Sequence, residues 1–195
     1  MAKYDPRDKY YRKAREQGLP SRAAFKIEEL IARIKLPHDA RVIDLGCAPG
    51  GWLAILAKHV REGRVIGIDL APCRSFGPSV ESMAADIRDP ALPDIIKEKL
   101  RRPADLVTSD LAPKLTGIRA RDDAQFAELI ESALAIASRT LKPGGTMIAK
   151  LFMSASFKEI LARFEHQFAK VEVTKVKATR PGSSELYVIA RGFHG

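Results

Sequence analysis

Cysteine is scarce: Cys47 and Cys73 are the only two in 195 residues, and their spacing matches no metal-ligand pattern. No metal site is expected, and this usage implies a reducing cytoplasm. No apolar run reaches about 18 residues, so no membrane span is expected. The N-terminus, Met1-Ala2-Lys3-Tyr4-Asp5-Pro6, is charged and polar and does not read as a signal peptide. Repeats, low-complexity tracts and a dividing linker are all absent. A chain of 195 residues, 46 % hydrophobic, suffices for one well-buried domain and falls short of two. Nothing signals association, and a monomer is the default.

Basic charge is what the chain has in excess. Its formal net charge is +9, which favours a polyanionic partner. The surplus is uneven: residues 1–22 hold seven Lys/Arg against three acids, with Tyr4, Tyr10 and Tyr11 among them as rings able to stack on bases. Residues 170–180 add four cations, Lys170, Lys175, Lys177 and Arg180, against Glu172 alone. Such runs are also what a solvated tail and a solvated edge look like. Residues 1–20 therefore read as a basic N-terminal tail, and 21–195 as a single domain.

Within that domain, strand-like and helix-like segments alternate. Ser21 is placed to cap a helix whose apolar positions are Ile27, Leu30, Ile31 and Ile34. Strands are predicted at 41–45, 64–69, 82–85, 105–109 and 145–151, and helices at 52–60, 91–101, 122–141 and 156–166. Alternation of this kind implies an α/β fold with a mostly parallel sheet covered on both faces. Two closing strands, about 170–177 and 185–191, have no helix between them and should pair antiparallel at one edge. The expectation is a seven-stranded, Rossmann-like nucleoside-binding sheet with an antiparallel edge strand.

The most informative segment is Val42-Ile43-Asp44-Leu45-Gly46-Cys47-Ala48-Pro49-Gly50-Gly51-Trp52. A strand that feeds a helix through glycines brings bare backbone N–H groups close to a ligand. The glycines fall at 46, 50 and 51, which does not meet the G-x-G-x-x-G spacing of dinucleotide sites. A nucleoside without a pyrophosphate suits the turn better, pointing to S-adenosylmethionine, although an ordinary strand–helix turn has the same outline. Two later acids favour the site. Asp69 ends the second strand, where a carboxylate can accept both ribose hydroxyls. Asp86 ends the third, where it can accept from an adenine amino group. Cys47 reads as a small packing residue in the turn.

Candidate chemistry carriers follow the fourth and fifth strands: Asp110 and Lys150. A lysine ending an apolar strand needs a partner, and Asp110 on the adjacent strand is within reach. Lys26 can reach inward from its helix, and Glu185 opens the last strand. Lys26, Asp110, Lys150 and Glu185 match, in order and context, the Lys-Asp-Lys-Glu tetrad of the FtsJ/RrmJ-type ribosomal RNA 2′-O-methyltransferases, which the chain resembles over nearly its whole length. The resemblance is carried by Ser21-Arg22-Ala23-Ala24-Phe25-Lys26, Asp44-Leu45-Gly46 with Ala48-Pro49-Gly50-Gly51-Trp52, Ser109-Asp110-Leu111-Ala112-Pro113 and Ser184-Glu185-Leu186-Tyr187. It departs at Cys47, where many members carry alanine, and at Lys114, where asparagine is expected.

The resemblance implies an S-adenosylmethionine-dependent enzyme that methylates a ribose 2′-oxygen of RNA, in bacteria typically a uridine of large-subunit (23S) rRNA within the ribosomal subunit. Lys26, Asp110, Lys150 and Glu185 would then be catalytic, and Gly46, Gly50, Trp52, Asp69, Asp86 and Asp110 would bind the cofactor. The 2′-hydroxyl is a poor nucleophile, so the protein must align it and help remove its proton. Lys150 is the candidate to orient and deprotonate it, with Asp110 positioning Lys150 while Lys26 and Glu185 hold the ribose. A tRNA target and a non-catalytic ribosome-assembly factor are the competing readings. Base amino-methylation and cytosine C5-methylation are disfavoured: the chain lacks a D/N-P-P-aromatic run after the fourth strand, and neither cysteine follows the fourth or fifth strand.

Overall fold

The computed structural model describes residues 8–180 and 182–195. Strands β1 (Arg41–Leu45), β2 (Arg64–Asp69) and β4 (Ala104–Ser109) are apolar runs buried along almost their whole length. Such runs belong in the middle of a parallel sheet with helices on both sides. With β3 (Val80–Ala84), β5 (Leu141–Phe152), β6 (Phe168–Thr174) and β7 (Glu185–Phe193) they form a seven-stranded sheet ordered β3-β2-β1-β4-β5-β7-β6. The first five strands pair parallel, and β7 runs antiparallel to both β5 and β6. The expected antiparallel pair closes one edge, with β7 as its inner member. Burial explains that order: β7 is buried from Leu186 to Ala190, whereas β6 exposes Ala169, Lys170 and Val173 and suits an edge.

Period-two alternation divides the core into two layers. On one face, Ile27 and Leu30 of α2 (Ala24–Ile31) and Leu53 and Leu56 of α3 (Gly51–His59) pack in one cluster with Val42, Val65, Leu106 and Ile148. On the other face, α4 (Leu92–Leu100), α5 (Arg119–Thr140) and α6 (Phe157–Gln167) cover Ile43, Ile66, Val107 and Met147. From β1 the chain winds outward first through β2 and β3, then in the opposite direction through β4 and β5. The reversal leaves a crevice at the carboxyl ends of β1 and β4, where ligands bind in open α/β sheets. No helix among the described residues is long and apolar enough to cross a membrane.

Two features differ from expectation. The segment read as a basic tail contains a helix, α1 (Lys9–Glu16), whose first N–H groups at Tyr10 and Tyr11 donate to Asp8 at 3.1 and 3.0 Å. It is docked: Ala14 packs with Phe25 and Ala178, and the Tyr10 ring lies 5.7 Å from that of Phe25. Lys3, Tyr4 and Arg7 lie outside the described residues. Ser21 does not cap α2 through its hydroxyl. The helix begins at Ala24, a tight turn carries the Ala24 N–H to the Ser21 carbonyl at 3.3 Å, and the buried Ser21 Oγ has no partner among the described residues.

Candidate active site

The crevice holds a cavity of about 300 Å³, walled by Gly46, Ala48, Asp69, Asp86, Asp110 and apolar Leu70, Leu111 and Leu129. Gly50, in the left-handed region at φ 101°, starts α3, and a Cβ there would sit 2.3 Å from the Phe76 ring. Only glycine accepts both the dihedral and the contact. The Asp69 carboxylate accepts from the Ala48 and Ala71 N–H groups, each at 3.0 Å, which ties the end of β2 to the glycine turn. Each oxygen keeps a lone pair for a ligand. Asp86 is gripped by the Arg88 guanidinium at 2.6–3.2 Å and by the Arg88 N–H at 3.0 Å. Hydrogen bonding to Arg88 holds its carboxyl down at about 2.

Beneath the turn lies Asp44, fully buried and central in β1. Its Oδ1 accepts from the Thr108 hydroxyl at 2.7 Å, and its Oδ2 has no partner among the described residues. Burial pushes this carboxyl up to about 8, against the Thr108 hydrogen bond and with help from the charges of Asp110 and Asp69. At neutral pH Asp44 is therefore protonated, while Asp69 and Asp110 stand beside it.

The four tetrad residues converge next to the cavity. The register Ser109↔Ala149 carries Asp110 and Lys150 out of adjacent strands side by side. Lys150, only 7 % exposed, donates to the Asp110 carbonyl at 2.8 Å and lies 3.0 Å from its Oδ1. Lys150 and Ile148 share a sheet face, and Lys150 pairs in register with Tyr187. On that face α2 presents Lys26, whose Nζ lies 2.7 Å from Glu185 Oε1. Glu185 also accepts from the Tyr187 hydroxyl at 2.9 Å and from Thr179 at 3.3 Å. Burial alone would raise the Glu185 carboxyl; the Lys26 charge and hydrogen bond, then Tyr187 and Lys150, bring it below the usual range.

Of the residues expected to bind a cofactor, Gly46, Asp69, Asp86 and Asp110 line the cavity, and Gly50 and Trp52 do not. Trp52 is buried, its ring 6.1 Å from Tyr187 and its Nε1 without a partner among the described residues. Cys47 is the packing residue expected, its Sγ 3.2 Å from that of Cys73, and both thiols are free and pushed up by burial. Sequence reasoning missed Arg88, Tyr187 and Thr179. Arg88 carried a signal, since Arg two residues after an acid can fold back on it. Thr179 carried none, because only the folded β6–β7 connection brings it to Glu185. The two basic segments, α1 and 175–180, also meet: Arg22 pairs with Asp8 and donates to the Ala178 carbonyl, and Arg180 lies 3.7 Å from Asp8.

Known proteins show what the chain is similar to. Residues 19–193 match the FtsJ-like methyltransferase family. A ribosomal RNA large subunit methyltransferase E of Anaeromyxobacter sp. is 44 % identical over 98 % of this chain and 71 % of its own length. One of the same name from Methanoregula boonei is 41 % identical over 97 % of each. The crystal structure of a Plasmodium falciparum ribosomal RNA methyltransferase superposes with a TM-score of 0.78 and 25 % identity, covering 90 % of this chain and 99 % of that one. On the strength of the family match and of these relatives, the chain belongs to the FtsJ-like methyltransferases.

Proposed function

We propose that the chain transfers a methyl group from S-adenosylmethionine to a ribose 2′-hydroxyl of RNA, with a uridine of large-subunit (23S) ribosomal RNA, in the ribosome or its precursor, as the target. One observation carries the reading: the pairs Lys150–Asp110 and Lys26–Glu185 meet beside a cavity that shares Asp110. The relatives named for large-subunit ribosomal RNA support the substrate.

The cavity suits the cofactor on its own chemistry. Leu70 lines it yet is 73 % exposed, an apolar side chain that an adenine ring would cover. Asp69 and Asp86 offer acceptors for ribose hydroxyls and the adenine amino group. In a chain of net charge +9, this cavity is acidic, with Asp69, Asp86 and Asp110 against Arg88 alone. A cationic ligand fits such a field. When bound, S-adenosylmethionine supplies a methyl already activated on a sulfonium.

What falls to the protein is the oxygen and its proton. Lys150 has three N–H donors; one goes to the Asp110 carbonyl and the Asp110 carboxylate faces the ammonium as an ion pair, which positions it and leaves a donor for the ribose oxygen. Asp110 positions Lys150; Lys26 and Glu185 hold the ribose. To take the hydroxyl proton Lys150 must arrive neutral, so a Lys150-dependent ionisation in the rate between about pH 6 and 10 marks deprotonation, and its absence leaves orientation as the whole role.

The test is methyl transfer from labelled S-adenosylmethionine to large ribosomal subunits, free large-subunit rRNA and tRNA, all from cells lacking the enzyme. Label on one ribose 2′-oxygen of rRNA, reduced about 10²–10⁴-fold by Lys150→Ala, is the expected result. Label in tRNA alone overturns the substrate. Absence of label despite cofactor binding makes the chain an assembly factor.

A further inference from the structure

Six large apolar side chains are exposed among the described residues, and four of them, Leu70, Leu115, Ile118 and Met153, leave the carboxyl ends of β2, β4 and β5 around the site. Leu70 belongs to the cavity. Leu115 and Ile118, 76 % and 61 % exposed, do not. They stand on the connection that follows Asp110, and Met153 stands on the one that follows Lys150, so the three flank the tetrad from neighbouring strand ends.

The Leu115 segment is built to hold its shape. Asp122 accepts from the Thr116 N–H at 2.8 Å, the Thr116 hydroxyl at 2.7 Å and the Gly117 N–H at 3.2 Å. Those bonds and the Arg121 charge keep its carboxyl low, so the clasp is ionised at neutral pH. Cations alternate with the apolar residues: Lys114, Arg119 and Arg121 are all exposed. Lys114 and Arg119 make no side-chain ion pair or hydrogen bond among the described residues. Arg119 and Arg121 open α5, where positive charge opposes the helix dipole, so helix stability does not account for them. Exposed apolar side chains on a clasped backbone, set between cations, match the chemistry of a nucleotide: a flat base flanked by phosphates.

Lys150 supplies the reason such a surface is needed. Its ammonium is recessed, and a ribose held in a continuous stack cannot enter a recess without its neighbours. The nucleotide must turn out, and its base then needs a new apolar partner. We propose that the Pro113–Arg121 segment receives the base and flanking phosphate of the methylated nucleotide, with Leu115 and Ile118 against the base and Lys114 and Arg119 on the backbone. This rests on the RNA-methylating role proposed above.

The test pairs a kinetic and a mapping measurement. The variant L115S/I118S, changed only at exposed positions, should lose about 10-fold in kcat/KM for RNA while its cofactor KM and Tm stay as in the wild type. With a photo-crosslinking benzoylphenylalanine at position 115, irradiation with the substrate particle should attach the protein to the target nucleotide or its neighbour, read as a reverse-transcription stop. Unchanged RNA kinetics, or crosslinks to a ribosomal protein or to distant RNA, overturn the inference while the 2′-O-methylation reading stands. A wild-type enzyme that methylates no RNA removes both.

Discussion

Replacing Asp44 with asparagine should free the chain from a stability loss that accumulates as pH rises towards about 8. Asp44 is fully buried, and its carboxyl is pushed from an ordinary 3.8 up to about 8. Because the folded value lies above the unfolded one, the native state binds this proton the more tightly. Its contribution is fully present below about 3.8 and declines until the group ionises near 8. Each tenfold difference in proton affinity between the two states corresponds to about 1.4 kcal/mol. Between about pH 6 and 9, Asp44 alone should therefore remove two such steps, about 3 kcal/mol. For 195 residues that is roughly 6–12 °C in Tm. The asparagine side chain would still accept from Thr108, as Asp44 Oδ1 does at 2.7 Å, and cannot ionise. All other titrating groups are shared, so the gap between variant and wild-type Tm isolates this residue. Thermal unfolding followed by circular dichroism from pH 6 to 9 is the assay, and two parallel curves would refute the reasoning.

Gly50→Ala should lower Tm by several degrees, because a left-handed non-glycine residue costs about 1–2 kcal/mol and its Cβ meets Phe76; the double variant with Phe76→Ala should recover only the steric part, and a Tm within 1 °C of wild type would count against the cradle. Arg88→Ala should weaken binding of the adenosyl product about 10-fold, near 1.4 kcal/mol, by freeing Asp86, and should weaken binding of its inosyl analogue less, since that analogue lacks the amino group; calorimetry that finds equal losses would disconnect Arg88 from the adenine. Changing Arg12, Arg15 and Lys177 to glutamine should leave Tm unchanged and reduce the slope of log affinity for RNA against log salt by about 2–3, roughly one per lost phosphate contact; an unchanged slope would show that the joined basic surface does not touch RNA.

Much of this site was readable because it is made of strand ends. Val42 to Leu45, Leu106 to Ser109 and Met147 to Ala149 are apolar runs that end at a glycine, an acid and a lysine, and in a parallel sheet consecutive runs of that kind put their last residues along one edge. Asp110 and Lys150 therefore followed from local pattern and strand spacing alone. Lys26 and Glu185 were read as able to converge on them, from a helix face and a strand start; what brings them together is a helix over β5 and β7, held by the packing of Ile27 with Ile148 and Tyr187.

The substrate side was harder to read, for a physical reason. α1 is almost wholly polar, with Ala14 its one buried residue, so its apolar stripe is reduced to Tyr10 and Ala14, too short to stand out in the sequence. Asp8 as cap and Lys13 and Arg15 in the last turn were the available signals. What docks the helix is contact across the chain: Ala14 on Phe25 and Ala178, and Asp8 with Arg22, fourteen residues on, and with Arg180 from beyond β6. The Leu115 segment is similar, since its apolar residues gain meaning only when folding leaves them bare on the connection that follows Asp110. Asp69, Asp110 and Lys150 sit at strand ends and so obey local rules. The exposed basic residues are assembled from whatever segments the fold brings together. The two basic surfaces, α1 joined to 175–180 and the exposed Lys114 to Arg121, are accordingly drawn from three separate parts of the chain.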